Sequence, residues 1–287
     1  YFIKELSMGF SGALLSLVCV SCMQVFCLIP IIVPNIAIKL LDWDLLIKMF
    51  KFSVPFVPAA MFFILIEMSD RWMIAWLSSV ENVGLYGAGY KIGGVLLLLV
   101  KGFNLNWQPY YLKKHKNSNL ESFNLIGSAF IICMIFFSVV LSAFWPLIFQ
   151  VKFGSFYLIG ESFWSGGIIV PIISIGYVFY GIFILQMPSI YLKNKERWVV
   201  VFWAIGFLVN FVFNFYLIPI YGFVGAALGT LFAYATMASM LIYKNRLWLP
   251  IQYKYKKILI YILFGLFFYF FSLLTINCFL IVSFASL

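Results

Sequence analysis

Five ionisable residues of this 287-residue chain, Glu67, Asp70, Arg71, Lys91 and Lys101, stand inside otherwise apolar stretches. A charge at the centre of a bilayer costs at least ~2.5 to 3.5 kcal/mol, so placement alone makes them candidates for chemistry. Glu67, Asp70 and Arg71 are spaced i, i+3, i+4, which sets Glu67 beside the other two on one helical face. Arg71 lies seven residues before the link 78–84 and Lys91 seven after it. At ~1.5 Å per residue both sit ~10 Å below the same surface, at matched height across a tight hairpin. Gly87, Lys91, Gly94, Lys101 and Gln108 project within an arc of roughly 100°, a small and polar stripe suited to a hydrated cavity or another helix rather than to lipid. Arg71, Lys91 and Lys101 are therefore candidates for neutralising an anionic group. Glu67 and Asp70 are candidates for proton or sodium coupling, or for plain charge compensation of Arg71. Snorkelling of the two lysines to the interfaces is the structural alternative.

No other side chains offer stronger chemistry. Cys19, Cys22, Cys27, Cys133 and Cys278 all fall in apolar stretches. Cys19 and Cys22 form a C-x-x-C, yet no second pair or nearby histidine completes a zinc site, so small apolar packing is expected. His115, the only histidine, sits in a basic link and is expected to be solvated. We expect no catalytic residue, no metal and no cofactor.

The elements that must position these residues follow from composition. Apolar residues make up 65% of the chain, aromatic residues 21% and charged residues only 10%, against about 25% charged in an ordinary globular protein. Eight apolar stretches, 9–33, 52–77, 85–111, 123–149, 162–187, 198–218, 222–243 and 258–284, are each long enough for a helix to cross a ~30 Å slab. Unpaired backbone groups are costly in hydrocarbon, and the short alternating segments of a barrel are missing, so the spans are read as helices. The expected fold is all-α, a polytopic membrane protein of about eight transmembrane helices. Its short links leave no room for a soluble domain.

A formal charge of +10 would also suit nucleic acid, but the bases are distributed by link. Lys39, Lys48 and Lys51 follow the first stretch; Lys113, Lys114 and Lys116 the third; Lys193, Lys195 and Arg197 the fifth; Lys244, Arg246, Lys254, Lys256 and Lys257 the seventh. The intervening links hold Lys152 alone. This alternation is the positive-inside pattern, so the basic links are expected in the cytoplasm, beside anionic lipid heads, and both Tyr1 and Leu287 outside. Nucleic acid is not needed to explain the charge. The start at Tyr1 without a signal-peptide pattern leads us to expect an excerpt of a longer protein.

Two further patterns bear on packing. Asn210 and Asn214 are spaced i, i+4 and suit interhelical bonds, while Gly222, Gly225 and Gly229 make a small face for close helix approach. Pro30, Pro34, Pro55, Pro58, Pro171 and Pro188 can bend their helices.

Two stretches carry a family resemblance. The first is Lys51-Phe-Ser-Val-Pro-Phe-Val-Pro58, then Ser69-Asp-Arg71, then Val83-Gly-Leu-Tyr-Gly-Ala-Gly-Tyr-Lys-Ile92. The second is Asn214-Phe-Tyr-Leu-Ile-Pro219 with Tyr221-Gly222 and Gly225-Ala-Ala-Leu-Gly-Thr230. In order and spacing they resemble the polysaccharide or O-antigen flippases, of the exporter superfamily that includes multidrug and toxin extrusion proteins. The resemblance implies spans six to thirteen of fourteen: one helix and an inter-lobe linker at 1–51, a six-helix C-terminal lobe at 52–243, and a basic link with a further helix at 244–287. It also implies transport of undecaprenyl-diphosphate-linked oligosaccharide across a bacterial inner membrane by alternating access through a cationic cavity. Arg71, Lys91 and Lys101 would meet the diphosphate, Arg71 with a bidentate fork. Lipid-linked oligosaccharide, membrane lipids, a proton or sodium counter-ion and polysaccharide assembly proteins are the partners implied.

Other classes remain open. A multidrug or cation antiporter of the same superfamily predicts an acidic cavity. A membrane polymerase, ligase or glycosyltransferase predicts catalytic carboxylates or histidine in a sizeable outer loop, which these short links lack. A non-transporting scaffold predicts dispensable intramembrane charges.

Overall fold

The computed structural model describes residues 9–35, 42–54, 56–114, 120–153 and 156–249. The eighth apolar stretch 258–284, Cys278, His115, Pro55 and lysines 39, 116, 254, 256 and 257 lie outside the described residues. The chain divides into two units, Tyr1–Ser53 and Val54–Leu287.

The first unit holds α1 (Gly9–Ile32), a 3₁₀ turn at Val33–Asn35, and α2 (Trp43–Ser53). The residues Leu14–Asn35 have a mean hydropathy of 2.4, which needs lipid as solvent. Polar side chains along α1 bond back to their own helix, Ser21 Oγ donating to Leu17 O at 2.8 Å. Asp42 caps α2 by accepting from the amides of Asp44 and Leu45 at 2.9 and 3.1 Å.

The second unit is a helical bundle: α3 (Phe56–Leu77), α4 (Val80–Gly93), α5 (Val95–Lys114), α6 (Leu120–Phe149), α7 (Val170–Leu185), α8 (Pro188–Leu192), α9 (Arg197–Tyr221) and α10 (Phe223–Trp248). A two-residue antiparallel ladder, β1 (Lys152–Phe153) with β2 (Phe156–Tyr157), and a 3₁₀ segment Glu161–Ile169 join α6 to α7. Taken over the described residues, the protein is all-helical apart from this ladder, and five helices are long and apolar enough to cross a membrane, or up to seven with bent pairs counted as single spans. It is a multi-pass membrane protein by that measure. Large side chains such as Trp72, Trp76, Leu98, Leu105 and Phe136 are exposed, an apolar surface of the kind lipid covers.

The core forms around α7, which is buried along nearly its whole length. α5, α6 and α10 pack on α7, and α3 and α10 pack on α9. The α3–α4 turn is shorter than the expected link 78–84, because Ser79 accepts from Asn82 N at 3.2 Å and starts α4 at Val80. The turn from α9 to α10 rests on Gly222, with φ +57° and ψ −135°, a conformation that a side chain disfavours. Gly225 then lets α10 approach the Leu217 carbonyl, where a Cβ would collide.

Three differences from the sequence expectation matter for the site. The stretch 85–111 is two helices, α4 and α5, bent by 43° at Gly94. The stretch 162–187 opens as 3₁₀ helix and breaks after Leu185, with α8 starting on Pro188. Lys244 and Arg246 belong to the last turns of α10 rather than to a link.

Candidate functional site

The inward face of α3 carries Ile66, Glu67, Ser69, Asp70, Met73 and Ile74, all buried. Placing two carboxylates there is costly unless their oxygens are satisfied. Asp70, with 0% exposure, is satisfied four times over. Its Oδ1 accepts from Asn214 Nδ2 at 2.7 Å and from Asn210 Nδ2 at 3.1 Å, both on α9. Its Oδ2 accepts from Thr230 Oγ1 of α10 at 2.7 Å and from Tyr86 Oη of α4. Asn210 Oδ1 accepts from Ser69 Oγ at 3.3 Å and Asn214 Nδ2 at 3.1 Å, which ties the ligands to one another. Asn214 Oδ1 is buried without a hydrogen-bond partner and lies against Gly229, where a Cβ would strike it.

Glu67, one turn earlier, is 9% exposed and sits among tyrosines. Tyr234 Oη of α10 donates to Oε1 at 2.6 Å and Tyr90 Oη of α4 donates to Oε2 at 2.7 Å. Tyr177 Oη of α7 lies 3.2 Å from Oε1 and 2.6 Å from Tyr90 Oη. Every group bonded to either carboxylate is neutral. A carboxylate held only by neutral donors can gain a proton or a small cation without breaking an ion pair. Among the described residues no three His, Cys, Asp or Glu side chains gather as a ligand set.

Arg71 does not compensate these charges by direct contact. Its Nη1 donates to the backbone carbonyl of Glu67 at 2.6 Å. The guanidinium stands over the rings of Tyr90 and Tyr86, at 5.0 and 5.9 Å from their centroids. Tyrosine rings thus touch the cation by their faces and the carboxylates by their hydroxyls. The physical reason is geometric: i, i+4 spacing brings Arg71 back along the helix to the Glu67 carbonyl, while the Glu67 carboxyl turns inward to the three hydroxyls.

The other two cations have separate neighbours. Lys91 is exposed and lines a groove of about 650 Å³ with Gly84, Gly87, Leu158, Gly160 and Phe163. Lys101 is exposed, with Nζ 5.9 Å from the Phe63 ring centroid. Because the helix bends at Gly94, the stripe projected through Gly87, Lys91, Gly94, Lys101 and Gln108 does not run along one straight surface. Asn210 and Asn214 lie at the α3–α9–α10 junction and do more than pack, since both donate to Asp70. Cys19, Cys22, Cys27 and Cys133 are free thiols on exposed helix surface.

Sequence reasoning gave no role to Tyr86, Tyr90, Tyr177, Tyr234 or Thr230. A signal was present for two of them: Tyr86 and Tyr90 share a face by i, i+4 spacing, and a phenol in an apolar span needs a partner for its hydroxyl. Tyr177 and Tyr234 had no such local mark. The sequence matches no family model and no curated protein, and the fold matches no solved structure.

Proposed function

We propose that the chain is part of an ion-coupled transporter that flips lipid-linked oligosaccharide, carried on undecaprenyl diphosphate, across a bacterial inner membrane. The observation that carries the reading is the meeting of the two resembling stretches at one side chain. Asp70 comes from the first stretch, and its donors Asn214 and Thr230 come from the second, more than 140 residues away in sequence. Tyr86 of the first stretch supplies a further donor. Residues of both stretches thus converge on an enclosed carboxylate, which is where a transporter would take up its driving ion. On this reading α3 to α10 are the six-helix lobe of a fold like that of the multidrug and toxin extrusion proteins, in a chain of about eight spans. Arg71, Lys91 and Lys101 serve the diphosphate, and Glu67 and Asp70 serve the counter-ion.

A second reading has one observation in its favour. The enclosed interior is acidic, while the three cations are half-buried or exposed, as a cation or multidrug antiporter of the same superfamily would require.

The test uses the full-length gene in a flippase-deficient strain. Lys91 and Lys101 are exposed, so their replacement should change stability by less than about 0.5 kcal/mol. We expect Arg71→Ala combined with Lys91→Ala to abolish surface polysaccharide at equal protein level. Normal polysaccharide in that variant would remove the cationic cavity. Export of organic cations that is lost in Asp70→Asn and kept in the double variant would favour the antiporter.

A further inference from the structure

The two carboxylates differ in one respect that bears on what each can bind. Asp70 accepts at Oδ1 from two amide N–H groups, which only donate, and at Oδ2 from the hydroxyls of Tyr86 and Thr230. All partners of Glu67 are hydroxyls, which donate or accept. With Glu67 ionised, Tyr90 donates to Oε2, Tyr234 donates to Oε1, and the Tyr177 hydrogen goes to Oε1 or to Tyr90 Oη. With a proton on Oε2, that proton is donated to Tyr90 Oη, the Tyr90 hydrogen turns to Tyr177 Oη, the Tyr177 hydrogen goes to Oε1, and Tyr234 is unchanged. The contacts are the same in both states. Only hydroxyl hydrogens turn, and either oxygen of the 2.6 Å Tyr90–Tyr177 pair can be the donor. One proton is gained and none is displaced.

Tyr90 also has a second neighbour. Its ring face holds the Arg71 guanidinium at 5.0 Å, while its hydroxyl holds Glu67 at 2.7 Å. Tyr90 and Glu67 are 7% and 9% exposed, whereas Tyr177, Tyr234 and Asp70 are at 0%.

We propose that Glu67, with Tyr90, Tyr177 and Tyr234, is a proton-exchange site, and that Tyr90 is the positioning residue linking its state to anion binding at Arg71. This rests on the transporter reading above and adds the division of labour between the carboxylates. The groups facing Glu67 are Tyr90 from α4, Tyr177 and Tyr180 from α7, Tyr234 from α10, and Asp70 and Arg71 from its own helix. From α9 only the uncharged Asn210 and Asn214 enter the cluster, and Lys101 of α5 stands over Phe63, one turn earlier on α3. The sign follows from charge: a protonated Glu67 removes a negative charge from beside Arg71, so an anion binds tighter as pH falls.

The experiment measures binding of farnesyl diphosphate to the full-length protein in liposomes between pH 5.5 and 8.5, with thermal unfolding to confirm folding of each variant. From the alkaline to the acid end wild-type affinity should rise about tenfold more than that of Glu67→Gln, the scale of an ordinary coupling between two sites. Glu67→Gln should show only the pH dependence of the diphosphate itself, with wild-type acid affinity at neutral pH. Tyr90→Phe keeps the ring under Arg71 and should lose the pH linkage while still binding; Asp70→Asn should keep the linkage. A wild-type profile matching that of Glu67→Gln would overturn the proton site. An unchanged linkage in Tyr90→Phe would overturn the role of Tyr90. Failure of wild type to bind farnesyl diphosphate at any pH would overturn the lipid-diphosphate reading itself, and this inference with it.

Discussion

Asp70 presents two oxygens to four donors, so the charge and the hydrogen bonds of this residue can be separated by substitution. In Asp70→Asn the amide oxygen can still accept from Asn210 and Asn214, while its nitrogen faces Tyr86 Oη and Thr230 Oγ1, both able to accept. We expect this variant to fold, with a loss of about 1 kcal/mol, and to lose ion-coupled transport. Asp70→Leu removes the shared acceptor of four buried donors; Asn214 Nδ2 and Thr230 Oγ1 retain Asn210 Oδ1 and Ala226 O, but each N–H or O–H left unpaired costs about 1–3 kcal/mol, enough to prevent accumulation of folded protein. Monodisperse yield in detergent and the unfolding temperature compare the two; equal stability of Asn and Leu at this position would contradict the network. Gly229→Ala is a subtler probe, because its Cβ would strike Asn214 Oδ1 and push that side chain off Asp70. A loss of about 1–3 kcal/mol is expected from such overpacking.

The break between α7 and α8 falls where side chains of neighbouring helices satisfy the freed backbone. α7 ends with short-range bonds, Gln186 N to Phe183 O at 3.1 Å and Met187 N to Ile184 O at 3.2 Å, before Pro188 opens α8. Trp107 Nε1 of α5 donates to Leu185 O at 3.3 Å, and Asn245 Nδ2 of α10 donates to Gln186 Oε1 at 2.8 Å and Gln186 O at 3.3 Å. Asn245 Oδ1 in turn accepts from Ser189 Oγ. Asn245→Ala should therefore destabilise the bundle by about 1–3 kcal/mol while leaving Glu67 and Asp70 bonded; an unfolding temperature equal to wild type would show that the break is held without α10. Much of the element plan was legible, because spans of this hydropathy have no other stable solvent and Glu67, Asp70 and Arg71 stand out against it. The bend at Gly94 was not, since a glycine between Lys91 and Lys101 reads equally well as part of a small-residue stripe. Nor was the tyrosine cluster: a phenol is ordinary in an apolar run, and only the folded chain shows that Tyr90, Tyr177 and Tyr234, from three helices, point at one carboxylate.

Within the bundle Glu67 and Asp70 are enclosed between helices, while a group of bases stands at a turn. Lys193, Lys195 and Arg197 flank the turn between α8 and α9, where Asn194 takes φ +52°, a left-handed conformation that asparagine tolerates. The turn before α7 has no comparable charge; Gly160 and Glu161 open its 3₁₀ segment. If the positive-inside pattern governs insertion, these two turns lie on opposite sides of the membrane. Single cysteines at Gly160 and Lys195 test this in the full-length protein after removal of its native thiols, four of which are exposed on the described helices. A membrane-impermeant maleimide applied to intact cells should label Gly160→Cys and spare Lys195→Cys until the membrane is opened. The opposite labelling would invert the orientation and, with it, the side from which Arg71 and Lys91 are approached. Equal labelling of both from outside would place the α7 region as a re-entrant element, and the bundle would then cross the membrane fewer times than its helices allow.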